Sequence, residues 1–183
     1  MISNITMTLT LNDITPCLLD DGTTVIATIT NYGYLMYTCN MLKSLMHYGL
    51  DKKVLIICID KRSADILQLK GYHVYCVDDA SLSSFSPWNT KGYDKICYLK
   101  LKMIYHILSL QKNVLLVDGD IVFQKSPMTD ILYWQSDHDY DVWVQNDSLV
   151  NKNTENMCTG YMYIKYTDLL LHDLFSQSVT IFS

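Results

Sequence analysis

Apolar and polar residues follow two different periods along this chain. Apolar and β-branched runs at residues 23–30, 52–60, 72–77 and 113–118 predict four buried strands. Apolar residues at helical spacing predict helices over residues 34–49, 62–71 and 93–111. Because these strands and helices alternate, the pattern predicts a parallel sheet with right-handed crossovers.

The two ends of the chain complete the prediction. Ser126 and Pro127 have the character of a helix N-cap and first helical residue, two further strands follow at 140–147 and 159–166, and a last helix covers 168–175. Alternation in "MTLTLND" predicts a short strand at a sheet edge. We therefore expect an N-terminal segment at 1–22 and one α/β domain at 23–183, a mostly parallel open sheet with helices on both faces.

Composition narrows the classes of function. The 183 residues are 49% apolar and 18% charged, which is typical of one globular domain with a real core. A net charge of −5 offers no basic surface for nucleic acid. No apolar run is long enough for a membrane span, and no secretory signal is recognisable. The six cysteines form no C-x-x-C pair, so we expect a reducing, cytoplasmic compartment.

The stretch "LLVDGDIVF" at residues 115–123 carries the clearest chemistry. Asp118 and Asp120 flank Gly119 at the end of a fully apolar strand. In an extended segment residues i and i+2 point to the same side, and two hard oxygen ligands suit Mg²⁺ or Mn²⁺. Open α/β sheets bind ligands beyond the carboxyl ends of their strands. The plain alternative is a turn whose aspartates face water.

The segment "NVLLVDGDIVFQKSP" resembles the strand and D-x-D motif of GT-A type glycosyltransferases, in the nucleotide-diphospho-sugar transferase family. Four companions match in order over about residues 24–168: "VIATITNYGYLMYTCNMLKSL", "YDKICYLKLKMIYHIL", "YDVWVQND" and "CTGYMYIK". The resemblance implies a Rossmann-like GT-A fold. It also implies transfer of a sugar from a nucleotide-diphosphate sugar, expected to be a UDP-sugar, to a glycan or glycoprotein acceptor with Mn²⁺ or Mg²⁺.

The resemblance also implies roles for individual residues. Asp118 and Asp120 hold the metal and, with Gly119, the donor. Thr28, Asn31 and Tyr32 receive the uracil or ribose. Lys100 reaches the diphosphate, with Lys95 and Lys102 of the same helix as rivals. Asp147 contacts the sugar or acceptor, as a base or as a carboxylate near the anomeric carbon. Thr159 and Gly160 line the sugar pocket, and Trp88 lies in the loop best placed to cover the donor. A strand residue, helix start, solvated helix face, turn or bulge is the plain alternative for these positions.

Two departures leave other functions open. Cys158 stands where the family motif has an asparagine, and no downstream metal ligand is evident except His172 in an apolar helix. The chain could therefore be a non-catalytic nucleotide-sugar-binding domain. "LLVDGDIV" also resembles the first motif of haloacid-dehalogenase-type phosphatases, but three strand–helix units precede it here and only 63 residues follow Asp120.

Overall fold

Residues 7–137, 139–146 and 157–182 are described by a computed structural model, and within them six strands form one sheet. The strands are β1 Thr24–Thr30, β2 Val54–Cys58, β3 His73–Cys76, β4 Asn113–Val117, β5 Val142–Asn146 and β6 Met157–Ile164. Their order in the sheet is β3-β2-β1-β4-β6-β5. The first four strands of that order are mutually parallel, and β6 runs antiparallel to β4 and β5. The mostly parallel sheet predicted from the sequence is confirmed.

Helices cover both faces of the sheet. They are α1 Leu11–Ile14, α2 Leu35–Met46, α3 Lys61–Leu69, α4 Lys91–Ser109, α5 Pro127–Ser136 and α6 Ser176–Phe182, with a π-helical segment at Leu170–Phe175. Helices α2, α3 and α5 pack on one face, and α4 packs on the other with α1 and the π-helical segment. Alternate residues of β1 enter the two cores, Ile26 on the α2 side and Val25 and Ala27 on the α4 side.

The edge strand predicted within residues 1–22 is not formed in the described part of that segment. Thr10 instead begins the short helix α1, because the Asp13 carboxylate accepts hydrogen bonds from the Thr10 N–H (2.7 Å) and hydroxyl (2.6 Å). Met7 and Leu9 are buried in the core beneath the α4 face. Local capping and burial thus replace strand pairing, apart from one bridging pair between Leu18 and Val25.

Strand order determines where a ligand site can form. From β1 the chain crosses through α2 to β2, whereas β4 lies on the other side of β1. The carboxyl ends of β1 and β4 therefore diverge at the point where the strand order reverses, which is where open α/β sheets have their binding crevice. Among the described residues, no helix has both the length and the apolar character needed to cross a membrane.

Candidate active site

A cavity of about 410 Å³ opens where β1 and β4 end. Its size lies in the usual range for small-molecule sites. The cavity is lined by residues from the ends of β1, β2 and β4, from the start of α2, from the loop at residues 82–88 and from α4. They are Ile29, Thr30, Asn31, Tyr34, Tyr37, Ile59, Phe85, Trp88, Tyr93, Ile96, Lys100, Asp118, Gly119 and Asp120. This lining divides into a charged end and an aromatic wall.

The charged end consists of Lys100, Asp118 and Asp120. The Lys100 Nζ lies 2.5 Å from Asp118 Oδ1, and the two side chains are only 16% and 32% exposed. Asp120 is exposed and makes no hydrogen bond or ion pair with the residues that the structure describes. The Lys100 ammonium group therefore pairs with Asp118, and the Asp120 carboxylate is open to an incoming cation.

Two glycines hold the D-x-D turn in place. The Asp118 N–H donates to the Gly160 carbonyl at 2.8 Å, and a Cβ on Gly160 would lie 3.2 Å from Asp118 Oδ2. A Cβ on Gly119 would lie 2.6 Å from Thr38 Oγ1 on α2. The turn is thus packed between β6 and α2, which fixes the direction in which its carboxylates point.

The aromatic wall consists of Tyr34, Tyr37, Phe85 and Trp88. The Tyr34 ring lies 4.7 Å from the Phe85 ring and 6.5 Å from the Tyr37 ring. The Tyr34 hydroxyl donates to the Ser86 carbonyl at 2.8 Å. Phe85 is 55% and Trp88 79% exposed. Phe85 and Trp88 are therefore accessible from the cavity, while Tyr34 is held in place by its hydrogen bond.

The loop at residues 82–88 is attached to the connection between β1 and α2. The Asn31 side-chain amide donates to the carbonyl oxygens of Leu82 (2.5 Å) and Ser84 (2.9 Å). The Gly33 N–H donates to the Ser83 carbonyl at 2.9 Å, and a Cβ on Gly33 would lie 2.1 Å from the Phe85 backbone nitrogen. Backbone contact this close holds Phe85 and its neighbours against the cavity.

Two phenols in the cavity remain protonated at neutral pH. Burial, with the nearby Cys97 thiol and the Asp118 carboxylate, raises the pKa of Tyr93 to about 12. Burial also raises the pKa of Tyr34, with smaller contributions from the charges of Asp120 and Asp118. The Tyr93 hydroxyl can therefore act as a neutral hydrogen-bond donor to an anionic ligand, whereas the Tyr34 hydroxyl already donates to the Ser86 carbonyl.

Comparison with known proteins assigns the fold to a family. Residues 49–169, more than half of the chain, match the nucleotide-diphospho-sugar transferase family. The chain belongs to that family. A UDP-galactose:fucoside alpha-3-galactosyltransferase of Dictyostelium discoideum is 26% identical in an alignment of length 175 that covers 76% of this chain and 26% of that protein.

Solved structures support the GT-A fold. Two crystal structures of LgtC, one of an active-site mutant and one of the galactosyltransferase in complex with donor and acceptor sugar analogs, superpose with TM-scores of 0.56 and 0.55 at 19% identity. Each superposition covers 86% of this chain and 64% of the LgtC chain. The chain thus spans about a quarter of the curated relative and under two thirds of LgtC.

Six of the eleven positions given a role from the sequence lie at the cavity. They are Asn31, Trp88, Lys100, Asp118, Gly119 and Asp120. Gly160 is buried directly beside Asp118. Asn31 contributes differently from the prediction, because its side-chain amide holds the 82–88 loop.

Other assigned positions are not brought to the cavity. Thr28 is fully buried within β1, because it shares the face of the strand that packs beneath α2. Tyr32 points away, since the Arg62 guanidinium lies 3.6 Å over its ring and its N–H donates to Asp60 at 2.7 Å. Thr159 is exposed and does not line the cavity. Asp147 lies outside the described residues.

Several cavity residues were missed by the sequence reasoning. Tyr34 and Tyr37 are three positions apart at the start of α2, a spacing that puts them on one helix face. Tyr93 precedes Lys100 by seven residues on the same face of α4. Both signals were available from helical spacing. No pattern in the sequence indicates Phe85, whose position depends on how its loop packs against Gly33.

The charged end suits a divalent cation only with help from substrate. Within residues 7–137, 139–146 and 157–182, no three His, Cys, Asp or Glu side chains are grouped to bind a metal ion. Two carboxylates are nevertheless enough for Mg²⁺-type sites, which complete their shell with water and phosphate oxygens. His172, an exposed residue of the π-helical segment, does not line the cavity. The residues present therefore fit a metal that arrives with a phosphate-bearing ligand.

Proposed function

We propose that this chain is the donor-binding and catalytic domain of a metal-dependent glycosyltransferase, which moves a sugar from a UDP-sugar to a glycan or glycoprotein acceptor. Family membership and the position of the cavity at the sheet's switch point support a nucleotide-sugar donor. Specificity for UDP and a saccharide acceptor are parts of the proposal supported by the names of its relatives. A cytoplasmic location is a further part, favoured by six cysteines without a disulfide.

The observation that carries the proposal is the charge of the cavity. Its lining contains one lysine and two aspartates, which leaves it with a net negative charge. A nucleoside diphosphate adds more negative charge at short range, where repulsion is strong outside bulk water. We therefore expect binding to depend on a divalent cation, which the Asp118 and Asp120 carboxylates would hold. When bound, such an ion would act as a Lewis acid on the leaving diphosphate.

The chain's own residues have complementary tasks in this proposal. Asp120 and Asp118 would supply oxygen ligands to Mn²⁺ or Mg²⁺. Lys100, already held beside Asp118, would place a positive charge next to the diphosphate. The protonated Tyr93 hydroxyl is a donor for a phosphate or sugar oxygen. Asp147 is retained as the proposed carboxylate on the sugar or acceptor side.

Calorimetric titration of UDP tests the metal requirement. We expect Mn²⁺ to tighten UDP binding at least about tenfold. EDTA should remove that gain because it removes the cation, and Asp120→Asn should remove it because it removes a carboxylate that would hold the cation. Asp65→Asn, an exposed aspartate of α3 remote from the lining, is the matched control and should bind normally. Equal UDP affinity with Mn²⁺, with EDTA and in Asp120→Asn would contradict the proposal.

Turnover separates the enzyme from a binding domain of the same fold. Release of UDP from a UDP-sugar in the presence of Mn²⁺, lost in Asp120→Asn, is the expected result. Metal-dependent binding without any release would instead support the non-catalytic alternative. Family membership leaves the phosphatase alternative without support, and we expect no hydrolysis of a generic phosphomonoester.

A further inference from the structure

We propose that a second cavity, on the other face of the sheet from the active-site cavity, binds a neutral saccharide. Its volume is about 640 Å³, within the usual range for small-molecule sites. Its lining comes from residues 121–125, which follow the D-x-D turn, and from Asp130 of α5, Gln145 of β5 and Tyr161 of β6. None of these residues lines the active-site cavity, so the site is additional to the proposed function.

The two cavities are separated by the sheet. Ile29 and Ile59 of the active-site lining belong to the core on the α4 side. Phe123 and Tyr161 of the second cavity pack with the core on the α2 side. The chain passes from one lining to the other at residues 120–121, directly after the D-x-D turn. A ligand in the second cavity therefore leaves the proposed metal and diphosphate groups free.

The charge of the second cavity distinguishes its ligand from a nucleotide. Among the described residues of its lining, Lys125 is the cation and Asp130 the anion, and Lys125 Nζ lies 2.8 Å from Asp130 Oδ1. These two charges cancel, and the carboxylates of the neighbouring D-x-D turn add a negative potential that disfavours an anionic ligand. The cavity therefore suits a polar ligand that carries no net charge.

The polar groups of the second cavity match the hydroxyls of a sugar ring. Gln124 and Gln145 are exposed, and neither side-chain amide forms a hydrogen bond with another described residue. The Tyr161 hydroxyl donates to Asp130 Oδ2 at 3.4 Å, a distance so long that both groups keep capacity for a ligand. Amides and carboxylates together offer donors and acceptors in pairs, and each sugar hydroxyl both donates and accepts.

The apolar part of the second cavity is held in place before a ligand arrives. The Phe123 ring lies 6.1 Å from the Tyr161 ring in an edge-on arrangement. The Phe123 N–H donates to the Ser44 hydroxyl at 3.0 Å, and the Ile121 N–H donates to the Asp118 carbonyl at 3.2 Å. Binding therefore needs little ordering of this segment. Aromatic rings carry negative charge on their faces, which suits the weakly positive C–H face of a sugar.

Saturation-transfer difference NMR on the full chain tests the proposal, with lactose, cellobiose and maltose as probes and with no nucleotide or divalent metal present. We expect at least one of these neutral disaccharides to bind with a dissociation constant of about 1–10 mM. Sialyllactose, which adds a negative charge to lactose, should bind more weakly than lactose. Absence of binding by all three neutral disaccharides, or tighter binding of sialyllactose, would overturn the inference.

Two variants test the position of the site. Gln124→Ala and Tyr161→Phe each remove one hydrogen-bonding group and should each weaken the disaccharide about fivefold. Gln68→Ala is the matched control, because Gln68 is an exposed glutamine of α3 outside both cavities, and it should bind normally. Unchanged affinity in folded Gln124→Ala and Tyr161→Phe proteins would refute this assignment.

A crossed comparison separates the second cavity from the active site. Asp120→Asn should leave disaccharide binding unchanged, and Gln124→Ala should leave Mn²⁺-dependent UDP binding unchanged. Loss of disaccharide binding in Asp120→Asn would place the saccharide in the active-site cavity and overturn the inference. UDP binding without any disaccharide binding would overturn the inference alone, whereas disaccharide binding without UDP binding would support it while the proposed function fails.

Discussion

Gly33 is where the β1–α2 connection touches the 82–88 loop, and Gly33→Ala is the sharpest perturbation of the aromatic wall. The added methyl group would lie 2.1 Å from the Phe85 backbone nitrogen and 2.7 Å from its Cα. Both are backbone atoms, so no side-chain rotation relieves the contact. Separating the methyl and the nitrogen to even 3.0 Å requires the loop to move by about 0.9 Å, the difference between those two distances.

The size of the effect follows from the hydrogen bonds that cross this contact. The Gly33 N–H to loop carbonyl bond and the bond from the Asn31 amide to Ser84 are both 2.9 Å long, and the same shift would stretch each beyond 3.5 Å. At about 1 kcal/mol net for each bond, loop docking weakens by about 2–3 kcal/mol when the displaced ring contact is included. Because the loop lies at the surface, the loss should appear as local opening rather than global unfolding.

The assay combines nucleotide affinity with limited proteolysis of the 82–88 loop. Gly33→Ala should weaken Mn²⁺-UDP binding at least about tenfold and expose the loop to protease, while circular dichroism stays native. Gly22→Ala is the control, because Gly22 has a φ of +65° with nothing within 4 Å, so alanine there costs about 1 kcal/mol of backbone strain and displaces no neighbour. Wild-type affinity and protease resistance in Gly33→Ala would refute the reasoning.

Three further predictions concern stability. Asp118→Asn should lower the free energy of unfolding by about 1–2 kcal/mol in urea, because Lys100 loses its charged partner, whereas Asp120→Asn should leave it unchanged; equal effects would contradict the observed pairing. Asn31→Asp should lower the melting temperature and open the 82–88 loop, because a carboxylate would face two carbonyl oxygens, and a native melting temperature would count against this anchor. Burial raises the pKa of Cys58 from 9.0 to about 12, so its contribution to stability is complete below pH 9 and is lost as pH rises towards 12. The free energy of unfolding, measured in urea from pH 7 to about 10.5, should therefore fall less steeply with pH in Cys58→Ala than in the wild type. Parallel pH dependences would refute the linkage.

The charged end of the cavity was predictable because it depends on chain order and strand periodicity. Asp118 and Asp120 follow a buried strand, and the alternation of strands and helices places that strand end beside β1. Lys100 was assigned from the family resemblance, and the structure places it on α4 beside Asp118. The placement of the two aspartates needs only local periods and one topological rule.

The position of Phe85 in the aromatic wall was not predictable, because it depends on contacts between segments far apart in sequence. Asn31 reaches loop residues more than fifty positions away, and that reach turns an expected ligand contact into a structural anchor. Thr28 lies away from the cavity for a different reason: the family resemblance implied a ligand contact, but the period of two places Thr28 with Ile26 beneath α2. Polarity alone does not reveal whether a strand residue faces the crevice or a covering helix.

Both halves of the cavity are positioned by the first turns of α2. Tyr34 and Tyr37 extend from it into the aromatic wall, and Thr38 packs against Gly119 in the D-x-D turn. The 82–88 loop approaches the same turns at Gly33, and the β4 end approaches them at Gly119, each too closely to admit a Cβ. Neither glycine has a positive φ, so their role is clearance rather than backbone freedom. A side chain at either position would push the aromatic wall or the carboxylates away from α2, and the two ends of the cavity would no longer be held at a fixed spacing.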